Sequence, residues 1–101
     1  MSESLVRHDP DGHRFTLATG AGEAVLTYEP HGDRVVFAHT VVPDAAEGQG
    51  VGTRLVAGAL AAARARGWAV VPQCPFVAAY LESHPDDRDV LAQGPRRGRA
   101  G

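Results

Sequence analysis

Glu47-Gly48-Gln49-Gly50-Val51-Gly52-Thr53-Arg54-Leu55-Val56-Ala57-Gly58-Ala59-Leu60 is the stretch that decides the fold. Its second half has a helical period. Val51, Leu55, Val56, Ala59, Leu60 and, just beyond, Ala63 fall on one stripe, which predicts a helix from Gly50 to Arg66. Its alanines favour that helix, and Gly67 is a suitable stop. The first half places three glycines at alternate positions where the helix begins. Such a loop lets the backbone approach an anion, and the helix N-terminus favours phosphate there. The same glycines would also serve a tight turn with no ligand at all.

Upstream, the chain reads as three short strands. Arg14 to Thr19 alternates apolar and polar residues. Gly20-Ala21-Gly22 is a turn, and Ala24 to Tyr28 a second strand. Pro30 to Asp33 supplies the next turn, and Arg34 to Val42 is the third and longest strand, ended by Pro43. The short spacings favour an antiparallel meander.

Downstream, Trp68-Ala69-Val70-Val71 predicts a buried strand, parallel to the third because a helix intervenes. Pro75 suits the first turn of a second helix, Phe76 to Ser83, which His84-Pro85 ends. Arg88 to Gln93 can add one more turn. Met1 to Pro10 is polar and reads as frayed, and residues 94–101, with Arg96, Arg97 and Arg99, read as a disordered tail. The expected order is β-β-β-α-β-α in one domain over residues 1–93. It is an α/β fold with one twisted mixed sheet and helices packed against it.

Composition narrows the function. The chain has 101 residues, which suits one domain. Its net charge of −2 argues against a nucleic-acid binder, which needs a basic face. The ten residues counted as Lys or Arg are all arginines, so no lysine could take up an acyl group. The single cysteine, Cys74, rules out an internal disulfide. No signal-peptide core opens the sequence, and no apolar run nears the ~20 residues of a membrane span. A cytoplasmic location is the expectation. Nothing in the pattern calls for a metal.

Two familiar phosphate loops fail the test. A Walker loop needs Lys after its last glycine, and here Thr53-Arg54 follows Gly52. A dinucleotide fingerprint needs G-x-G-x-x-G and an acid ending the next strand, which here runs into Gln73-Cys74.

A strand, a short loop, glycines at alternate positions and a helix together resemble the acetyl-coenzyme A motif of GNAT acetyltransferases. Three segments resemble a small family of GNAT-like domains of about the chain's own size. They are Ala38-His39-Thr40-Val41-Val42-Pro43, Gly48 to Leu55, and Val70 to Val77 with Tyr80 to Pro85. The likeness runs from about Arg14 to Leu91. One position departs: Glu47 stands where the superfamily has Arg or Gln.

The resemblance implies a minimal GNAT-like fold whose third and fourth predicted strands splay apart. Pantetheine would run along Thr40, Val41 and Val42. The pyrophosphate would sit on Gly48, Gln49, Gly50, Val51, Gly52 and Thr53. The implied activity is acetyl transfer from acetyl-CoA to an amine, with amines of proteins and peptides among the acceptors it allows, by a monomer or homodimer. The other reading is a CoA-binding or interaction module with little catalysis.

Acetyl transfer needs an oriented thioester, a base for the ammonium, a donor for the oxyanion and an exit for the thiolate. Cys74 ends the fourth predicted strand, where the resemblance sets it by the thioester. It could be a nucleophile, a proton donor or a small buried residue, and a thiol that lines the cleft without being acylated is the expectation. His39 could take the amine proton or be a hydrogen-bonded core histidine. Tyr80 occupies a place similar to the tyrosine that protonates the leaving thiolate in larger GNAT enzymes, or packs in the core.

Overall fold

A computed structural model describes residues 6–92. The expected tail over residues 94–101, and the boundary set at residue 93, lie outside the described residues. Five strands form one sheet in sequence order: β1 (Arg7–Asp9), β2 (Arg14–Thr19), β3 (Gly22–His31), β4 (Arg34–Val41) and β5 (Ala69–Pro72). The first four pair antiparallel, and β5 runs parallel to β4. Helix α1 (Val51–Arg66) makes the crossover, and α2 (Pro75–Ser83) follows β5. Short 3₁₀ segments lie at Asp44–Ala46 and Pro85–Val90.

The order is therefore β-β-β-β-α-β-α, one strand more than expected. The part of the N-terminal stretch read as frayed contains β1. Its polar residues carry no hydrophobic alternation, so periodicity could not reveal it. Register supplies the missing stability: His8 faces Phe15 and stacks on it with ring centroids 4.4 Å apart, and Arg14 Nε donates to Asp9 Oδ2 at 3.0 Å.

The second correction is in β3, which continues through Pro30 to His31 and leaves only Gly32 and Asp33 as the turn. Tyr28 donates its backbone N–H to the His13 carbonyl on the β2 side. Two residues on, the nitrogen of Pro30 points the same way, past the end of β2, so its missing hydrogen costs nothing. Gly32 takes a φ of +64°, which the tight turn requires.

The core is a single cluster. Phe15, Leu26, Phe37 and Val70 of the sheet meet Leu55, Val56 and Leu60 of α1 and Val77 of α2, all with almost no exposed surface. The predicted α1 stripe is the buried one. Burying a Leu, Val or Phe side chain contributes roughly 1.5–3 kcal/mol, so this cluster is what fixes α1 on the sheet. At the far end of α1, Gly67 adopts a left-handed φ of 72° and donates to the last-turn carbonyls of Ala63 and Arg64. No helix among the described residues is long and apolar enough to cross a membrane.

Candidate active site

Strands β4 and β5 stay in register only from Arg34↔Ala69 to Phe37↔Pro72. Beyond that pair, Cys74 donates its backbone N–H to the Phe37 carbonyl at 2.9 Å, and the chain turns into α2. The rest of β4 runs on without β5 beside it. A β-bulge marks the same place. Tyr28 pairs with Phe37 but Thr27 pairs with His39, so Ala38 is an extra residue. An inserted residue resets the alternation of the strand. Val35, Phe37 and Ala38 are buried, Thr40 is half-buried, and His39 and Val41 are exposed, Val41 to 62%.

A cleft of about 460 Å³ opens beside this segment. Thr40 and Val42 line it together with Ala46, Glu47, Gly48 and Gly50 of the loop, the first residues of α1, and Phe76 of α2. Two glycines of the loop are there for backbone reasons: Gly48 and Gly50 have φ values of +83° and +76°, with open space where a side chain would begin. Gly52 is different. Its backbone is helical, and a β-carbon there would meet the Phe76 ring.

Gly50 caps α1 without any side-chain hydrogen bond, and no acidic residue stands in the first turn. The first intrahelical bond shown there is Arg54 N–H to the Gly50 carbonyl, at 3.0 Å. The N–H groups of Val51, Gly52 and Thr53 are therefore the orphan donors of a helix start, and these three residues line the cleft. Their partial positive charge suits an anion. Among the described residues Glu47 is the only charged one in the lining, and it is exposed.

Of the positions expected to contact the cofactor, Thr40, Val42, Gly48, Gly50, Val51, Gly52 and Thr53 line this one cleft. Val41 points away to solvent, and the Gln49 side chain turns back to the Ala45 carbonyl at 3.4 Å. Sequence reading passed over Phe76, although an aromatic beside Pro75 at a helix start was a usable signal.

The three expected reaction residues are not assembled. Cys74 is only 4% exposed and lies behind the cleft wall, its thiol donating to Thr40 Oγ1 at 3.4 Å. The expectation that the thiol itself lines the cleft is corrected: Cys74 N-caps α2 and faces the core cluster, and Thr40 stands between it and the open space. His39 is exposed, so it is not the core histidine considered above. The bulge at Ala38 takes it off the buried face that Val35 and Phe37 share. Tyr80 is half-buried and donates to Asp87 Oδ2 at 3.2 Å, with His84 stacked on it at 3.9 Å. Burial, and then the Asp87 carboxylate, raise its pKa and keep the phenol protonated. Among the described residues, no hydrogen bond or ring contact joins any two of Cys74, His39 and Tyr80.

Asp87 is held in turn. Arg64 of α1 bonds to Asp87 Oδ1 at 3.1 Å and to both carboxylate oxygens of Asp89, at 2.7 and 2.9 Å. The hydrogen bond from Arg64 lowers the pKa of Asp89. This fork ties the 3₁₀ segment to α1 and so positions Tyr80 indirectly. Among the described residues no three His, Cys, Asp or Glu side chains cluster as metal ligands do.

A sheet that opens between two parallel strands, with an uncapped helix start beside the opening, makes an α/β domain whose cleft suits an anion. The family model described as GCN5-related N-acetyl-transferase matches residues 14–90, and the chain belongs to that family. No curated protein matches the chain.

Proposed function

We propose that the chain is an acetyl-CoA-dependent N-acetyltransferase that acts on an amine, with amines of proteins and peptides as an acceptor class to test. The observation that carries the reading is the uncapped N-terminus of α1 on the floor of the cleft. The orphan N–H groups of Val51, Gly52 and Thr53 would hold the pyrophosphate, with Gly48 and Gly50 letting it approach. Thr40 and Val42 would flank the pantetheine arm, and Phe76 would cover it from the other side. An acetyl thioester is already activated, so orientation and oxyanion stabilisation are the main tasks left to the protein.

The test is binding first. Acetyl-CoA at about a hundred times its dissociation constant should stabilise the fold by roughly 2.7 kcal/mol. Gly50→Asp should remove that gain, because it adds charge and bulk at a left-handed position. Thiol release from acetyl-CoA over a panel of amines and peptides then tests turnover. An unchanged melting temperature with saturating acetyl-CoA would refute the reading.

A second reading has one observation in its favour. Cys74, His39 and Tyr80 do not converge, so a CoA-binding module with little catalysis also fits. Binding of acetyl-CoA without thiol release to any amine would favour it.

A further inference from the structure

The cleft has two ends. One is the anion-binding floor at Gly48 to Thr53. The other is the apex where β4 and β5 part, marked by the Phe37↔Pro72 pair and the Cys74 N–H to Phe37 carbonyl bond. A thioester ligand anchored by its pyrophosphate at the first end carries its acyl group toward the second. Thr40 is the polar side chain on the cleft wall there.

The bond between Thr40 and Cys74 decides what that side chain offers. The thiol donates to Thr40 Oγ1, filling one lone pair of the hydroxyl oxygen. Cys74 has little freedom to move. Its amide is bonded to Phe37, its carbonyl accepts from Ala78 at 3.0 Å, and Pro75 follows it. Among the described residues the hydroxyl proton of Thr40 meets no protein acceptor. The Thr40 hydroxyl is thus held at its oxygen from behind, while its proton is free to point into the cleft.

We infer that Thr40 donates a hydrogen bond to the acyl carbonyl oxygen of the bound thioester, and that Cys74 positions the Thr40 hydroxyl for this without reacting itself. The inference rests on the acetyl-CoA reading above. In the transfer, the amine nitrogen forms the new N–C bond and the C–O π pair moves onto oxygen, where the Thr40 hydroxyl meets the developing charge. That pair then returns as the C–S bond breaks and CoA leaves as the thiolate. The amine proton goes to solvent, and Thr40 keeps its own. The bulge at Ala38 is what brings Thr40 to this side of β4. Unbroken alternation would have presented His39.

Paired titrations with acetyl-CoA and S-ethyl-CoA, which lacks the carbonyl, test this without any acceptor. The wild-type protein should bind acetyl-CoA about fivefold more tightly, the worth of one hydrogen bond. Thr40→Val should erase the preference and Thr40→Ser should keep it. Cys74→Ala should reduce it, and adding Cys74→Ala to Thr40→Val should change nothing further. With an amine that turns over, Thr40→Val should lower kcat on the order of tenfold to a hundredfold with little change in KM. Equal binding of the two ligands by the wild-type protein overturns the inference and leaves the CoA reading standing, as does a preference that survives in Thr40→Val. Failure to bind either ligand overturns both.

Discussion

The Phe76 ring lies over Gly52: a β-carbon added at Gly52 would stand 2.5 Å from its Cζ atom. The third glycine of the loop is thus a seat for an aromatic wall of the cleft, while its neighbours answer to backbone geometry. Gly52→Ala separates the two roles. Alanine gains up to about 1 kcal/mol of helix propensity over glycine, and Phe76 is 42% exposed and can swing away. The variant should melt within a few degrees of the wild type and yet lose much of the stabilisation by acetyl-CoA. Melting curves with and without the ligand check this. A wild-type ligand response would show that Phe76 does not shape the site.

Among the described residues Glu47 is the only charge in the cleft lining, and its sign opposes the anion that the helix start favours. Glu47→Arg should tighten CoA binding. The side chain is exposed, so the gain should be about 1 kcal/mol or less and should shrink as salt is added. Titrations at low and high ionic strength measure both. Weaker binding by the arginine variant would mean that the carboxylate makes a contact the ligand needs.

His8 should make the fold sensitive to acid. Its Nε2 meets Tyr28 Oη at 2.6 Å, its ring stacks on Phe15, and its Nδ1 is buried with no partner. Burial lowers its pKa below 6.5. Arg66 adds to the effect, and Asp9 opposes it. Tyr28 and the edge-on Trp68 complete the surroundings and bring no charge near neutrality. The unfolded chain therefore binds the proton at higher pH than the folded one. The stabilisation is complete above the unfolded value of 6.5 and is lost as pH falls through the depressed folded value. In urea titrations from about pH 7.5 to 5, His8→Phe should lose less stability than the wild type. Equal losses would place the acid sensitivity elsewhere.

Legibility in the sequence followed the burial pattern. The α1 stripe and its Gly67 stop were readable because a helix that buries one face must repeat with its period. The loop was readable because left-handed positions such as Gly48 and Gly50 select glycine. Strand β1 was not, since Arg7, His8 and Asp9 are held by partners in β2 and β3 and not by any period of their own. Nor was the exposure of His39. One inserted residue, Ala38, inverts the alternation of β4, and no residue type announces it. The same bulge leaves His39 exposed while neighbouring Thr40 lines the cleft.

Cys74 supplies the last prediction, because sequence and structure assign its thiol to different places. Position alone suggested a cleft-lining thiol, since strand ends in such sheets face the ligand crevice. The structure buries it to 4% exposure, behind Thr40. A buried thiol reacts only when the surrounding structure opens, so an aromatic disulfide reagent should label native Cys74 far more slowly than the unfolded chain. Acetyl-CoA should slow the labelling further by stabilising the closed form, in proportion to the stabilisation seen in melting. Cys74→Ala should cost about 1–2 kcal/mol for the lost packing and the lost bond, within the usual range for a buried site. Cys74→Ser retains a donor toward Thr40 and should keep more of the function than alanine does. Rapid quench with acetyl-CoA followed by mass spectrometry should find no acetyl group on residue 74, and the absence of lysine keeps that assignment clean. Labelling of the native, ligand-free protein at the rate of an exposed thiol would contradict the burial. An acetylated Cys74 would replace its positioning role with a covalent one.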